Sequence, residues 1–281
     1  MLRGYLLAVL VQMVAVNALA EFGHLQASIP PFYGLATALG GCLFGLGMTL
    51  AVGCAGAVLF RAGEGKLDYV LASVAYAVGI WGGAEWLAAP VRRWLGGSGA
   101  GRTMHHGLFL DRRLVLAILI VAIAIWLMRG RHHPYQGGWG WGRTGFLLGL
   151  VGITAWGVSA LAGNPSGLIT SQGTNSLTTF VFERDPSALN WSVFLVLGIP
   201  LGSWIASRFH GDSLEGGFRA ERLPRVVAGG LLMGIGAAVA GGDNIAHGLS
   251  GVPVLAWASV TFMVCVFLGV WAGVRLHWLR T

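Results

Sequence analysis

The chain has 281 residues, of which 55% are hydrophobic and only 10% are charged. A soluble domain usually has roughly 25% charged residues, so this composition excludes an ordinary water-soluble protein and indicates a membrane protein. The formal net charge of +7 does not indicate a nucleic-acid partner. The arginines lie almost wholly in short connections between apolar runs, a pattern typical of membrane topology.

Long apolar runs follow one another along the chain. Scanning with a window of about 19 residues predicts about eight transmembrane segments, because about 20 apolar residues cross a bilayer. Their expected bounds are 2–20, 34–60, 68–90, 113–129, 143–162, 188–207, 225–250 and 253–279. The expected fold class is therefore all-α, a polytopic membrane helical bundle forming a single integral membrane domain over residues 1–281.

The first segment has two interpretations. Arg3, the apolar stretch after it and the small residues Ala18-Leu19-Ala20 are also typical of a cleavable signal peptide. We expect residues 1–20 to be retained as a first membrane helix, because nothing downstream resembles a secreted soluble domain. Basic connections on both sides of 113–129 leave the membrane orientation open.

A glycine-rich element occurs twice. Residues 40–54 read GGCLFGLGMTLAVGC and residues 229–243 read GGLLMGIGAAVAGGD, with six matching glycine or alanine positions at a constant separation of 189 residues. Small residues at such spacing also occur in any closely packed pair of membrane helices. The shared order, with a second apolar segment after each copy, favours an internal duplication with repeat-related segments 36–86 and 225–276.

Each copy ends in glycine, where the helix is expected to break. The backbone N–H groups of a helix that starts after such a break attract an anion. Unwound backbone at membrane depth has to be buried in protein or line a cavity. The matching residues Cys54 and Asp243 are therefore predicted to face one substrate pathway.

Residues 45–65, GLGMTLAVGCAGAVLFRAGEG, and 229–244, GGLLMGIGAAVAGGDN, resemble the YeeE/YedE family of bacterial inner-membrane proteins. This family is also called the sulphur transport family and includes thiosulphate uptake proteins. Weaker similarity at 163–167 and in the closing apolar segment extends the resemblance over most of the chain.

That resemblance implies an hourglass-shaped bundle in which re-entrant half-helices enter from both faces. It also implies that a sulphur-containing anion passes by transient contacts with thiols along a central path. Cys54 matches the cysteine of the first glycine element. Asp243 and Asn17 stand where relatives have cysteines, and an ionised Asp243 would repel an anion.

The side chains of the candidate pathway residues suit different tasks. The Cys54 thiol is a soft, weak hydrogen-bond donor that contacts sulphur without holding it tightly, whereas Cys42 and Cys265 are interpreted as packing residues. Asp243 costs about 2.5–3.5 kcal/mol in a membrane segment unless it faces a cavity or a partner, and it is also a good helix cap. The remaining candidates are Gly53, Gly242, Asn244, Asn17, Asn164 and Ser166.

Two of these candidates, Asn164 and Ser166, and one further residue, Arg61, are interpreted from their neighbours in sequence. Asn164 and Ser166 belong to an Asn-Pro-Ser-Gly stretch that is expected to interrupt a helix. Arg61 follows the first element and is the predicted entrance residue that draws anions. Membrane topology and interface anchoring explain Arg61 equally well.

The predicted function is a membrane transporter or channel for a small inorganic sulphur-containing anion, thiosulphate-like, that passes the thiol of Cys54. One alternative is transport of another small solute such as a selenium compound. The other is a sulphur-sensing or delivery component that works with a soluble sulphur-carrier or regulatory protein.

An enzyme is not expected, because the sequence has no nucleophile–base pair, P-loop or dinucleotide fingerprint. No catalytic residue, cofactor, metal or nucleic-acid partner is predicted. The expected location is the bacterial inner membrane, with the chain crossing it several times in contact with lipid.

Overall fold

The computed structural model describes residues 2–95, 100–101, 103, 111–129, 139–210 and 220–276. These ranges are mostly helical, which confirms the predicted all-α fold class. In a helix the backbone groups bond to each other, which is necessary because lipid offers them no hydrogen-bond partner. The bounds are α1 Leu2–Glu21, α2 Leu35–Ala51, α3 Ala55–Gly63, α4 Leu67–Gly82, α5 Ala89–Trp94, α6 Arg112–Arg129, α7 Trp141–Leu161, α8 Thr170–Glu183, α9 Trp191–His210, α10 Leu223–Ala240 and α11 Trp257–Arg275. The shorter elements are the π-helical turns Gly83–Ala88 and Ala246–Gly251, the 3-10 turns Pro186–Ala188 and Ala220–Arg222, and the strands β1 Pro31–Phe32 and β2 Ala100–Gly101.

Within the described residues, seven helical stretches are long and apolar enough to cross a membrane. They are Leu2–Glu21, Leu35–Gly63, Leu67–Trp94, Trp141–Leu161, Trp191–Phe209, Ala220–Ala240 and Trp257–Arg275. Large apolar side chains such as Phe194, Leu201 and Phe267 are exposed on these helices, as lipid-facing residues would be. The chain is therefore a multi-pass membrane protein.

The eighth predicted segment, 113–129, is helical as expected and corresponds to α6. It is not among the seven candidate spans. Its apolar run between Arg113 and Arg129 rises only about 22 Å along a helix. That length is shorter than the hydrocarbon core of a bilayer, which is about 30 Å thick.

The two glycine-rich elements end in helix breaks, as predicted. Val52 adopts a left-handed φ of 55°, which ends α2 at Ala51, and α3 begins only at Ala55. Gly241 has a left-handed φ of 86° and ends α10 at Ala240. The predicted apolar segment 225–250 therefore contains the end of α10.

The predicted interruption at 164–167 is also present, because α7 ends at Leu161 and α8 begins at Thr170. Two residues of the connection, Gly163 and Gly167, have left-handed φ values of 79° and 69°. Glycine adopts these values without the steric cost that a side chain would add.

The chain folds into two compact units. The first unit contains Met1–Pro30, Gly101–Leu168 and Ala246–Val260. In it, α1 packs closely against α7, because a side chain on Gly145 would collide with the Gly4 backbone and a Cβ atom at Gly4 would lie 3.1 Å from the Trp141 carbonyl oxygen. Its apolar core includes Val16, Leu25, Trp156, Val254 and Ala256.

The second unit contains Pro31–Ala100, Ile169–Ile245 and Thr261–Thr281. In it, α10 packs against both α2 and α4. Its core includes Phe44, Tyr76, Met233, Ala237 and Phe262.

Glycine contacts between α2 and α10 are reciprocal. A Cβ atom added to Gly40 would lie 2.5 Å from the Gly236 carbonyl oxygen, and one added to Gly236 would lie 2.6 Å from the Gly40 carbonyl oxygen. Gly47 and Gly229 face each other in the same way, at 2.7 Å and 2.8 Å. In sequence, Gly40 matches Gly229 and Gly47 matches Gly236. If each glycine is replaced by its match in the other element, the Gly40–Gly236 contact becomes the Gly229–Gly47 contact.

Candidate functional site

The first helix break is held by Arg61. Its Nη1 donates hydrogen bonds to the Val52 carbonyl at 2.8 Å and to the Tyr69 hydroxyl at 2.7 Å, and its guanidinium lies 4.9 Å from the centre of the Tyr69 ring. A left-handed β-branched residue such as Val52 is strained and needs support from its surroundings. Arg61 therefore stabilises the break, whereas its predicted attraction of anions at an entrance stays a prediction.

Cys54 occupies the N-cap position of α3. Its backbone is extended, its side chain makes no capping hydrogen bond, and its thiol is free and half-buried. The first N–H groups of a helix have no partner within the helix. The thiol and these N–H groups therefore stand together at the break after Gly53.

The other end of α3 is fixed by α9. The Ser203 hydroxyl donates a hydrogen bond of 2.7 Å to the Phe60 carbonyl. Gly63 faces the backbone of Pro200 so closely that no side chain would fit. These contacts set the position of the short helix that begins at Cys54.

At the second break, Asp243 is completely buried and accepts hydrogen bonds on both carboxylate oxygens. Its Oδ1 accepts from the Ile245 backbone N–H at 3.0 Å. Its Oδ2 accepts from the Tyr76 hydroxyl at 3.2 Å and from the Thr170 hydroxyl. The bond from Ile245 is the capping interaction predicted for Asp243. Donors on both oxygens offset the cost of burying a carboxylate.

Thr170 is the first residue of α8. The amino-terminal end of a helix has a partial positive charge that favours a nearby anionic group. The Asp243 carboxylate, which is bonded to the Thr170 hydroxyl, lies in such a position. The protein thus supplies both hydrogen bonds and a favourable field to this buried acid.

The two breaks come together within the second unit. A Cβ atom added to Gly56 would lie 2.7 Å from Cδ1 of Ile245. Gly56 lies two residues after Cys54, and Ile245 lies two residues after Asp243. This contact therefore brings together the residues that follow the two breaks.

The residues beside Asp243 add a further polar group. Gly242 is buried and its N–H donates to the Ala237 carbonyl at 2.9 Å. The Oδ1 atom of Asn244 is buried, and among the described residues it has no hydrogen-bond partner. Because the two ends of an amide side chain are assigned from their partners, this group can serve a ligand as donor or acceptor.

Sequence reasoning missed Tyr76 and the hydroxyl groups of α8. Thr174 donates to the Thr170 carbonyl at 2.8 Å and Thr178 donates to the Thr174 carbonyl at 3.1 Å. The signal was present as threonines four residues apart in a short polar stretch. For Tyr76, the signal was a tyrosine inside an apolar segment, since a buried tyrosine hydroxyl usually has a partner.

The other candidates lie in the first unit, where the side chain of Asn17 has structural partners. Asn17 Nδ2 donates to the Met13 and Pro253 carbonyls at 2.7 Å and 2.8 Å, and its Oδ1 accepts from Arg112 at 2.6 Å. Both amide N–H groups of Asn17 are therefore occupied.

Asn164 and Ser166 are both attached to Ser159 of α7. The Asn164 N–H donates to the Ser159 carbonyl at 2.9 Å, and the Ser166 N–H donates to the Ser159 hydroxyl at 3.2 Å. The Asn-Pro-Ser-Gly stretch is thus folded back on the end of the helix that precedes it.

Broken helices, buried polar residues at the breaks and seven candidate spans define this chain as a polytopic membrane protein with an internal polar site. The family model described as sulphur transport matches residues 1–272, so the chain belongs to the sulphur transport family. It is 30% identical over 315 residues to the thiosulfate transporter TsuA of Escherichia coli strain K12, covering 100% of this chain and 85% of the relative. It is also 30% identical over 282 residues to the thiosulfate transporter TsuA of Spirochaeta thermophila, covering 92% of this chain and 83% of the relative.

Proposed function

We propose that this protein transports thiosulphate, or a closely similar small sulphur oxyanion, across the bacterial inner membrane past the thiol of Cys54. The two relatives described above are named thiosulfate transporters. The observation that supports the thiol most directly is the contact between Gly56 and Ile245. This contact joins the helix start at Cys54 to the chain that follows Asp243.

The chemistry of this site suits passage better than storage. A neutral thiol, the backbone N–H groups at the start of α3 and the Asn244 amide are neutral hydrogen-bonding groups. A site that conducts a solute has to bind it weakly enough to release it. Asp243 accepts bonds from Tyr76, Thr170 and Ile245, so its role in this proposal is to fix the break, not to contact the anion. Gly53 and Gly242, which precede Cys54 and Asp243, complete the proposed pathway residues at the two breaks.

The proposed pathway also includes Asn17, Asn164 and Ser166 of the first unit, with Arg61 near its entrance. Since both N–H groups of Asn17 are occupied, an anion would meet Asn17 only if one of these bonds opened. Arg61 would act through the field of its charge, because one of its nitrogens holds Val52 and Tyr69.

We also propose that segments 36–86 and 225–276 are duplicated within one membrane domain and that re-entrant half-helices follow both breaks. The reciprocal glycine contacts of α2 and α10 support the duplication.

Uptake of sulphur-35-labelled thiosulphate into proteoliposomes tests this function. We expect Cys54→Ala to lower the initial rate about tenfold, the effect of losing roughly 1.4 kcal/mol at the limiting step. The other two cysteines provide matched controls, and Cys42→Ala and Cys265→Ala should retain the wild-type rate. Equal uptake by Cys54→Ala and wild type would remove the thiol from the mechanism. Wild-type uptake no higher than that of empty liposomes would reject thiosulphate transport.

A different substrate is the alternative that Asp243 suggests, because the family resemblance implies a cysteine at this position and the carboxylate is hydrogen-bonded within the protein. Selenosulphate and sulphite should be tested as competitors of labelled thiosulphate. If Asp243→Cys gains thiosulphate uptake that the wild type lacks, the native substrate is another small solute. A soluble sulphur-carrier or regulatory partner stays a prediction, and a pull-down that recovers none from cell extract would count against it.

A further inference from the structure

Among the residues that the structure describes, the first unit contains several buried hydrogen-bonding groups without a hydrogen-bond partner. They are both amide atoms of Gln12, the indole Nε1 of Trp156 and the hydroxyl of Ser166, and none has a partner among the described residues. Gln12 is 0% exposed, Trp156 1% and Ser166 6%. Leaving such a group unpaired costs about 1–3 kcal/mol, and native proteins nearly always provide a partner.

These groups follow one face of α7. Gly152, Trp156 and Ser159 are spaced four and three residues apart, which places them on one side of a helix. The Gln12 amide of α1 packs directly on the Cα of Gly152. Gln12 therefore lies about one helical turn from Trp156.

The loop after α7 brings Ser166 to the same place. The Ser159 hydroxyl accepts hydrogen bonds from the N–H groups of Ser166 and Gly167 at 3.2 Å and 3.3 Å. Gly167 has a left-handed φ of 69°, and a Cβ atom there would lie 2.7 Å from Trp156 Nε1. Ser250 fixes the end of the loop by donating to the Leu168 carbonyl at 2.9 Å.

We infer that Gln12, Trp156 and Ser166 form a second binding site for the transported sulphur oxyanion, within the first unit; this inference rests on the proposed function. The indole N–H of Trp156 can only donate a hydrogen bond, whereas the Gln12 amide and the Ser166 hydroxyl can both donate and accept. The three donors therefore favour a ligand rich in acceptors. One water molecule accepts two hydrogen bonds, whereas the oxygens of thiosulphate can accept bonds from all three side chains.

A nearby cation favours an anionic ligand at this site. Arg112 is bonded to Asn17, which lies on α1 little more than one turn beyond Gln12. The site itself has neutral donors, and the arginine adds a field without contacting them. This arrangement would attract a divalent anion and still let it leave.

Fluorine NMR on protein labelled with 5-fluorotryptophan tests the site directly. The chain has 12 tryptophans, and Trp156→Phe identifies one resonance by removing it. Trp126, which is 46% exposed on α6, provides a control resonance that Trp126→Phe identifies. Sodium thiosulphate is titrated against sodium chloride of equal ionic strength.

We expect the Trp156 resonance to shift saturably with thiosulphate and the Trp126 resonance to stay in place. Ser166→Ala removes one donor with little change in volume and should raise the midpoint of the titration about tenfold. Trp156→Phe should raise the half-saturating thiosulphate concentration for uptake by a similar factor. A Trp156 resonance that does not move, that moves equally with chloride, or that titrates unchanged in Ser166→Ala would overturn the site.

The failure of this site and the failure of the proposed function give different results. Normal wild-type uptake with a silent Trp156 resonance rejects the second site only. A Trp156 resonance that titrates with thiosulphate in protein without uptake activity supports the site and rejects transport. If Cys54→Ala loses uptake while the Trp156 resonance still titrates, the two binding positions are separate.

Discussion

The Tyr76 hydroxyl donates a hydrogen bond of 3.2 Å to Oδ2 of Asp243 and so joins α4 to the chain after the break in α10. Both residues are buried. A hydrogen bond to a charged group contributes about 1.5–3 kcal/mol, and removing one partner leaves the other unpaired. This pair is therefore expected to matter for stability as well as for the geometry of the site.

A double-mutant cycle with Tyr76→Phe and Asp243→Asn measures this bond. Each variant should lower the thermal midpoint in detergent, and the double variant should lose less than the sum, with a coupling energy of about 1–3 kcal/mol. Tyr69→Phe, on the same helix, provides the control and should be additive with Asp243→Asn. Additive effects of Tyr76→Phe and Asp243→Asn would contradict the bond.

Arg61 is predicted to stabilise the fold, and this role is separate from any attraction of the substrate. Arg61→Gln removes the hydrogen bonds to Val52 and Tyr69 and should cost about 1–3 kcal/mol. Arg61→Lys should fall between Gln and wild type, because an ammonium group lacks the planar fork of arginine. The exposed Arg208 lies over the Trp204 ring at 5.5 Å, and Arg208→Gln should leave the thermal midpoint unchanged.

Two readouts separate this role from that of an entrance residue. A pure entrance role would leave the thermal midpoint of Arg61→Gln at the wild-type value. It would raise the half-saturating substrate concentration, and that effect would shrink at high salt, since screening weakens exposed charges. A lowered midpoint with salt-independent uptake supports the stabilising role.

The helix breaks could be predicted because they depend on local sequence. Glycine at the end of an apolar run predicts a residue with left-handed backbone, and Gly241 has this conformation. The first break was predicted around Gly53, yet the left-handed residue is Val52. Only the side chain of Arg61, nine residues away, explains why valine is tolerated there.

The partners of the buried polar groups could not be predicted, because they are distant in sequence. Tyr76 lies 167 residues from Asp243, and Thr170 lies 73 residues from it. Composition places a polar group inside an apolar segment and predicts that it needs a partner. Which residue becomes the partner depends on how the helices pack.

Cys42 and Cys265 provide a chemical test of helix packing. They lie on packed helices, because a Cβ atom added to Gly41, the neighbour of Cys42, would lie 2.9 Å from the Cβ of Cys265. Mild oxidation with copper phenanthroline should join them, with loss of two hydrogen atoms to the oxidant. Intact mass and loss of maleimide labelling detect the product.

The remaining cysteine controls this experiment. Cys54→Ser should form the same disulfide, whereas Cys42→Ser and Cys265→Ser should form none. A disulfide that requires Cys54, or a chain that stays fully reduced while maleimide still reaches both thiols, would contradict the packing of α2 against α11.

Glycine contacts make the α2–α10 pair sensitive to one added carbon atom. A Cβ atom at Gly40 meets the backbone of Gly236, which cannot move without shifting its helix, and Gly236→Ala meets Gly40 in return. Each variant should cost about 1–3 kcal/mol, as overpacking does, and should lower the thermal midpoint. Gly198 of α9 has nothing within 4 Å of an added Cβ, so Gly198→Ala should be neutral.

The double variant Gly40→Ala, Gly236→Ala should cost less than the sum of the two single variants, because helices already pushed apart by one methyl group accommodate the second. If Gly40→Ala is as stable as Gly198→Ala, the two helices do not approach each other so closely. That result would also contradict the contact geometry that relates the two glycine-rich elements.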